Sequence, residues 1–196
     1  MSSTNAPFGL RPAFHPSGLD RAQALANGIT SAYSTNILKG QPVAYSASAG
    51  VIVPITANST QATWSGAFAG VEWTDTTGRR RVSNYWPANT AYTTGSCVAY
   101  FYNDQNIVYE IQADGSMAQT TIGNEYLFTN VTAGSTTTGL SQATLGASSA
   151  VGNGNPGQMR VVDLGQGVDN AWGDSYTVVR VVNSASQFFG TVNAIA

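Results

Sequence analysis

The sequence predicts a mainly β protein: a small antiparallel barrel or sandwich carrying an extended, proline-rich N-terminal arm. Three observations point there. Only 9% of the 196 residues are charged, against roughly 25% in ordinary soluble domains, and polarity comes instead from Ser, Thr, Asn and Gln. Three Glu and one Lys cannot lace exposed helices with paired charges. Finally, runs of β-branched and aromatic residues recur between Gly-, Asn- and Asp-rich turns.

In chain order, "NAPFGLRPAFHPSG" (5–18) places three of the seven prolines around Phe8, Leu10 and Phe14. Proline fixes φ and cannot donate to a central ladder, so this leader reads as extended chain. "GLDRAQALANG" (18–28) is the helix candidate, with Asp20 as cap, Ala22 and Leu25 on one face and Gly28 as stop. "GAFAGVEWT" (66–74) alternates, with Ala67, Ala69, Val71 and Trp73 on one face and Phe68, Gly70, Glu72 and Thr74 on the other. "TDTTGRR" turns, "RVSNYWP" (81–87) returns, and Pro87 ends that strand. "CVAYFY" (97–102) and "IVYEIQ" (107–112) flank "NDQN" and predict a hairpin. Asp114-Gly115 is a further turn, "GSTTTG" (134–139) a polar turn before the weaker strand "LSQATL", and "GNGNPG" (152–157) another turn. "QMRVVDL" (158–164) and "SYTVVRVV" (175–182) are valine-rich strands across a long loop. No fixed-period repeat occurs, which argues against propellers and solenoids. The domain reading is an arm, 1–30, and a β domain, 31–196, whose division into lobes 31–125 and 126–196 stays open.

Several function classes are disfavoured. A net charge of −2 gives no broad basic face for nucleic acid. No apolar run approaches the ~20 residues of a membrane span, and the start lacks the basic and apolar regions of a signal peptide, so a soluble protein made in a cytoplasm is expected. The matches "NST" (58–60) and "NVT" (130–132) to the glycosylation pattern are then read as chance. Cys97 is the single cysteine, which precludes an internal disulfide or a cysteine zinc site and suits a buried strand residue. His15, the single histidine, would have to serve any Ser-His-Asp or Cys-His arrangement, and a leader is a poor place to hold a base. Glu72, Glu110 and Glu125 lie on or near strands, but no spacing selects a glycosidase-type pair. The loop Asp163–Asp174 lacks EF-hand spacing and reads as Asp and Asn side chains satisfying their own backbone. There is no phosphate-binding or dinucleotide glycine motif. No catalytic, metal or cofactor site is therefore assigned. The aromatic residues read mainly as core and cross-strand pairs, with a carbohydrate-binding use as the alternative.

The stretches "NAPFGLRPAFHPSG", "GAFAGVEWTDTTGRRRVSNYWPA" (66–88), "YNDQNIVYEIQADG" (102–115), "GSTTTG" and "DNAWGD" (169–174) resemble small structural proteins of tailed bacteriophages. The resemblance implies a non-enzymatic capsid decoration, or cement, protein. Such a protein binds the major capsid protein on the outer shell in many copies, as a homo-oligomer (dimer or trimer). Its partner residues would be Phe8, Leu10, Arg11 and Phe14 on the arm and Arg79, Arg80 and Arg81 on the hairpin, whose guanidinium forks suit acidic groups. Fully extended, fourteen leader residues reach roughly 45 Å. The structural alternative for the leader is that it wraps its own body, with Phe8, Leu10 and Phe14 in surface grooves. The alternative functions are a tail- or fibre-associated glycan-binding module and a virion-associated hydrolase.

Overall fold

The computed structural model describes residues 4–18, 22–46, 48–55, 64–152 and 154–188. Among them the chain is strand and turn, with one short 3-10 turn (Gln119–Thr121) and no α-helix. One antiparallel sheet contains β1 (Arg11–Phe14), β8 (Val108–Gln112), β9 (Glu125–Thr129), β12 (Thr144–Ala150), β13 (Met159–Leu164) and β14 (Val178–Asn183), in the order β1-β8-β14-β13-β9-β12. The other contains β2 (Gln23–Ala26), β3 (Pro42–Tyr45), β4 (Ile52–Pro54), β5 (Gly66–Thr74) and β7 (Val98–Tyr102), in the order β2-β7-β5-β3-β4, with β6 (Arg80–Ser83) paired to the C-terminal half of β5. A small ribbon joins β10 (Gly134–Ser135) to β11 (Leu140–Ser141). Neither sheet closes on itself, so of the two expected architectures the barrel is not formed.

Two apolar clusters hold the molecule. The first unites Ile107, Tyr109 and Ile111 with Phe128, Leu145, Met159 and Val181, and it takes in Ala44 and Ala67 from the second sheet. Trp64 lies inside it, 5.3 Å edge-on to Phe128 and 5.9 Å from Tyr109, and its indole N–H donates to the Gln158 carbonyl at 3.1 Å. That bond supplies the partner a buried indole requires. The second cluster contains Val43, Ile52, Phe68, Val71, Trp86 and Phe101. Trp86 stands 5.5 Å from Trp73 and 6.1 Å from Tyr92.

The predicted span of β5 matches its observed bounds, but its facing does not. The pairing with β7 runs Ala67↔Tyr102, Phe68↔Phe101, then Gly70↔Tyr100, leaving Ala69 as an extra residue. An inserted residue reverses which face each later side chain points to. Ala67 therefore enters the first cluster, while Phe68, Val71 and Trp73 share the second. One bulge lets a single strand serve both cores.

Two further expectations are corrected. Residues 23–26 form a strand rather than part of a helix; Leu25 pairs with Ala99, and Asn27 follows at φ 53°. A helix of about ten residues is marginal alone, whereas the edge of β7 offers a full ladder. Asp20, the expected cap, lies outside the described residues, as does the "NST" pattern. The second correction concerns 97–112. β7 pairs with β2 and β5, and β8 pairs with β1 and β14, so no hairpin joins them. Both edges of each strand are occupied by others, and the chain changes sheet through residues 103–107. There the Asp104 carboxylate accepts the Asn106 N–H at 2.8 Å, and the Ile107 N–H donates to the Asp104 carbonyl at 3.3 Å.

The loop from 165 to 177 follows its sequence reading. The Asn170 amide donates to the Gly165 and Val178 carbonyls and accepts the Val178 N–H, and the Asp174 carboxylate accepts the Ala171 N–H. β13 and β14, on either side, pair antiparallel.

Candidate partner interface

The leader is fastened along the edge of the first sheet. The Ala6 N–H donates to Gln112 Oε1 at 2.9 Å, and Gln112 Nε2 donates to the Thr4 carbonyl at 3.1 Å, so one side-chain amide imitates a ladder rung. Leu10 N–H donates to the Gly40 carbonyl at 2.8 Å. Backbone meets backbone here: a Cβ on Gly9 would lie 2.6 Å from the Gly40 oxygen, and both glycines have φ above +70°. From Arg11 to Phe14 the leader becomes β1, an edge strand on β8, a position where proline is tolerated.

The expected arm residues therefore separate by role. Leu10 is 2% exposed and belongs to the first core. It is a structural residue of its own chain, because the N–H···O bond to Gly40 turns it inward. Phe8 is half-buried beneath the Arg11 guanidinium, 4.8 Å from ring centroid to Cζ. Arg11 Nη2 donates to Glu110 Oε2 at 2.5 Å. Phe14, at 55% exposure, points to solvent from the open edge. Beside the leader is a groove of about 510 Å³ walled by Phe8, Leu10, Phe68, Tyr102 and Leu140, with Arg11 and Lys39 among its lining.

Glu110 is the hidden partner of this arrangement. It is 5% exposed, accepts the Gln166 N–H at 3.1 Å and forms an ion pair with Arg180, whose Nε lies 3.5 Å away. Burial pushes its carboxyl upward, but the Arg11 hydrogen bond, the Gln166 N–H and the charges of Arg11 and Arg180 hold it below its ordinary value. Nothing local in the sequence joins Arg11 to Glu110. The register of β1 on β8 makes them direct partners.

The hairpin arginines are engaged at home. Arg80 Nη2 donates to Glu72, and Arg81 Nε donates to Asp75 Oδ2 at 2.9 Å. The Arg80 bond lowers the Glu72 carboxyl. Asp75 is held well below the usual carboxylate range by the Thr77 hydroxyl, then by the Arg79 N–H, Arg81 and the Thr77 N–H. The turn thus locks its own charges, and the Arg79 side chain remains exposed at its tip.

The remaining candidates for chemistry are also built in. The His15 side chain is 7% exposed; Nε2 lies 3.1 Å from Asp104 Oδ2, and Nδ1 lies 3.0 Å from Ser17 Oγ. These separations resemble a Ser-His-Asp set, but Nδ1 also accepts Ser17's own N–H at 3.1 Å, so the lone pair facing the hydroxyl is already shared. The arrangement fastens the leader's end to the 103–107 crossover. Cys97 is fully buried, and burial pushes its thiol up to about 11. Glu125 is 0% exposed, bound by Arg160 at 2.8 Å and by the Gly157 N–H at 2.6 Å. Among the described residues no three His, Cys, Asp or Glu side chains gather where a metal could sit. No helix of the described residues is long and apolar enough to cross a membrane.

Comparison with protein-family models, with curated proteins and with solved structures finds no match to this chain.

Proposed function

We propose that this chain is a non-enzymatic virion structural protein, a capsid decoration protein that binds the major capsid protein in many copies on the outer shell. In this reading it is made in the host cytoplasm, assembles as a dimer or trimer, and contacts neither nucleic acid nor membrane. The sequence resemblance to tailed-phage structural proteins motivates the reading. The observation that carries it is the state of the charges. Five of the eight cationic side chains (Arg11, Arg80, Arg81, Arg160 and Arg180) are in internal ion pairs. Arg11, Arg80 and Arg81 stay more than half exposed, but each is paired with a carboxylate of its own chain, while Phe14, Val82 and Val168 stand exposed. Such a surface can be covered with little desolvation of unpaired charge, and repetition on a lattice multiplies modest contacts.

The fastening of the leader changes how an arm contact must work. Leu10 is taken by the body, so Phe8, Arg11 and Phe14 are the leader groups assigned to the shell, with Arg79 as the hairpin contribution. Deleting residues 1–18 would also delete a core residue and an edge strand, so point variants are the proper test. Purified protein is titrated onto capsids lacking it, and occupancy is counted for the wild type, Phe14→Ala and Arg79→Ala. Loss of occupancy at unchanged stability is the expected result. Failure of wild-type protein to bind capsids overturns the decoration reading, and full occupancy by both variants overturns this choice of contacts.

A further inference from the structure

We propose that a second groove, formed by the 103–106 crossover, β2, Tyr45 and Phe188, binds a neutral glycan. It has a volume of about 600 Å³ and is lined by Gln23, Asn103, Gln105, Asn106, Tyr45 and Phe188, together with the Asp104 carboxylate. No decoration role requires it, and it shares no lining residue with the leader groove.

The chemistry of the lining selects the ligand. Four carboxamides stand around one groove, and each amide offers both a donor and an acceptor, as a sugar hydroxyl does. Their internal bonds leave capacity over: Asn103 donates to Gln23, Gln105 donates to Ser186 Oγ at 2.8 Å, and Asn106 donates to Asp104 at 3.1 Å. The one carboxylate is already engaged within the chain at both oxygens. Oδ1 of Asp104 takes the Asn106 N–H and amide, and Oδ2 faces His15 at 3.1 Å. Among the described residues no Lys or Arg is in the lining, so none of them rewards an anionic ligand.

The aromatic wall completes the site. Phe14 and Phe188 are the two phenylalanines more than half exposed among the described residues. Phe14 stands on an open edge, but Phe188 is braced. Its ring meets Tyr45 edge-on at 5.4 Å, and Tyr45 meets Phe101 at 5.7 Å. The preceding Gln187 amide accepts the Tyr45 N–H at 2.6 Å and donates to the Tyr45 carbonyl at 3.0 Å, and Phe188 N–H donates to Ser186 Oγ at 3.1 Å. An exposed ring held this way loses little freedom when a flat C–H face of a sugar stacks on it. Apolar face against ring and hydroxyl edge against amides is the amphipathic division of a neutral hexose.

The test is independent of capsid binding. The purified protein, displayed multivalently, is applied to an array of neutral oligosaccharides built of glucose, galactose, mannose, rhamnose and N-acetylglucosamine, with sialylated and sulfated spots beside them. Neutral spots are expected to respond. Phe188→Ala should weaken the strongest of them about tenfold or more, and so should the double variant Gln23→Ala/Asn103→Ala, which leaves the ring in place. Phe14→Ala, an equally exposed ring elsewhere, should bind as the wild type does, and thermal melts confirm that all variants are folded. A silent neutral set, a response confined to anionic spots, or binding that survives both groove variants overturns the proposal. A melt showing Phe188→Ala unfolded shifts the decision to the amide double variant.

Discussion

Replacing Leu10 by alanine separates the two roles that a greasy, proline-rich leader can have. The side chain is 2% exposed and packed in the first core. Truncation removes three carbons, about 2.4 kcal/mol of transfer free energy at ~0.8 kcal/mol each. Leu10 also lines the leader groove, so the neighbours can relax into the vacancy and the cavity contribution is small. The total is about 2–3 kcal/mol, at the lower end of large-to-small core substitutions. In a domain of this size that lowers Tm by roughly 4–12 °C. Urea unfolding followed by fluorescence of the four tryptophans reads the change as a shift in midpoint at constant slope. Phe14→Ala is the control. That ring is 55% exposed on an open edge, and its removal should cost under about 1 kcal/mol. If Leu10→Ala destabilises no more than Phe14→Ala, the leader is not part of the core and the reasoning fails.

Other consequences are as direct. Glu110 has a depressed carboxyl in the folded state, so its stabilisation is present above the ordinary glutamate range and lost as pH falls through the folded value. Glu110→Gln should therefore lose roughly 1–3 kcal/mol at pH 7 and flatten the acid limb of a stability–pH curve; an unchanged limb counts against the Arg11–Glu110–Arg180 cluster. Gly9→Ala places a Cβ against the Gly40 carbonyl at φ +72° and should cost about 1–3 kcal/mol, with hydrogen exchange rising across residues 4–14 before the rest of the sheet. Uniform protection in that variant would show that the crossing is not tight. Native Cys97 should react with a disulfide reagent no faster than the protein unfolds, since it is buried and its thiol is pushed up to about 11; labelling within minutes contradicts its place in the core.

Much of the strand inventory was legible because it rests on local pattern. Residues 66–74 alternate and end in a turn whose Asp75, Thr77 and Gly78 supply their own bonds, and β5 has those bounds. The valine runs around 159–164 and 178–183 became paired strands for the same reason. The candidate site was legible only in part. That Phe8, Leu10, Arg11 and Phe14 form a special segment shows in their spacing among prolines. That Leu10 turns inward while Phe14 stays out does not, because the decision belongs to Gly40, thirty residues away. The amide groove was invisible for a similar reason: Gln23, Tyr45, the 103–106 turn and Phe188 share no local pattern.

The sequence by itself determined a β protein with few charges and the positions of most turns. These follow from side-chain period, backbone freedom and missing charge pairs, all within a few residues of one another. Only the tertiary structure decided which strands are neighbours. It sent β7 and β8 to different sheets despite a strong hairpin signal, drew 23–26 from helix to strand, reversed the facing of β5 at Ala69, and matched Arg11 to Glu110. Strand edges compete for partners across the whole chain, and the pairing that buries both apolar clusters at once prevails over the one that is nearest in sequence.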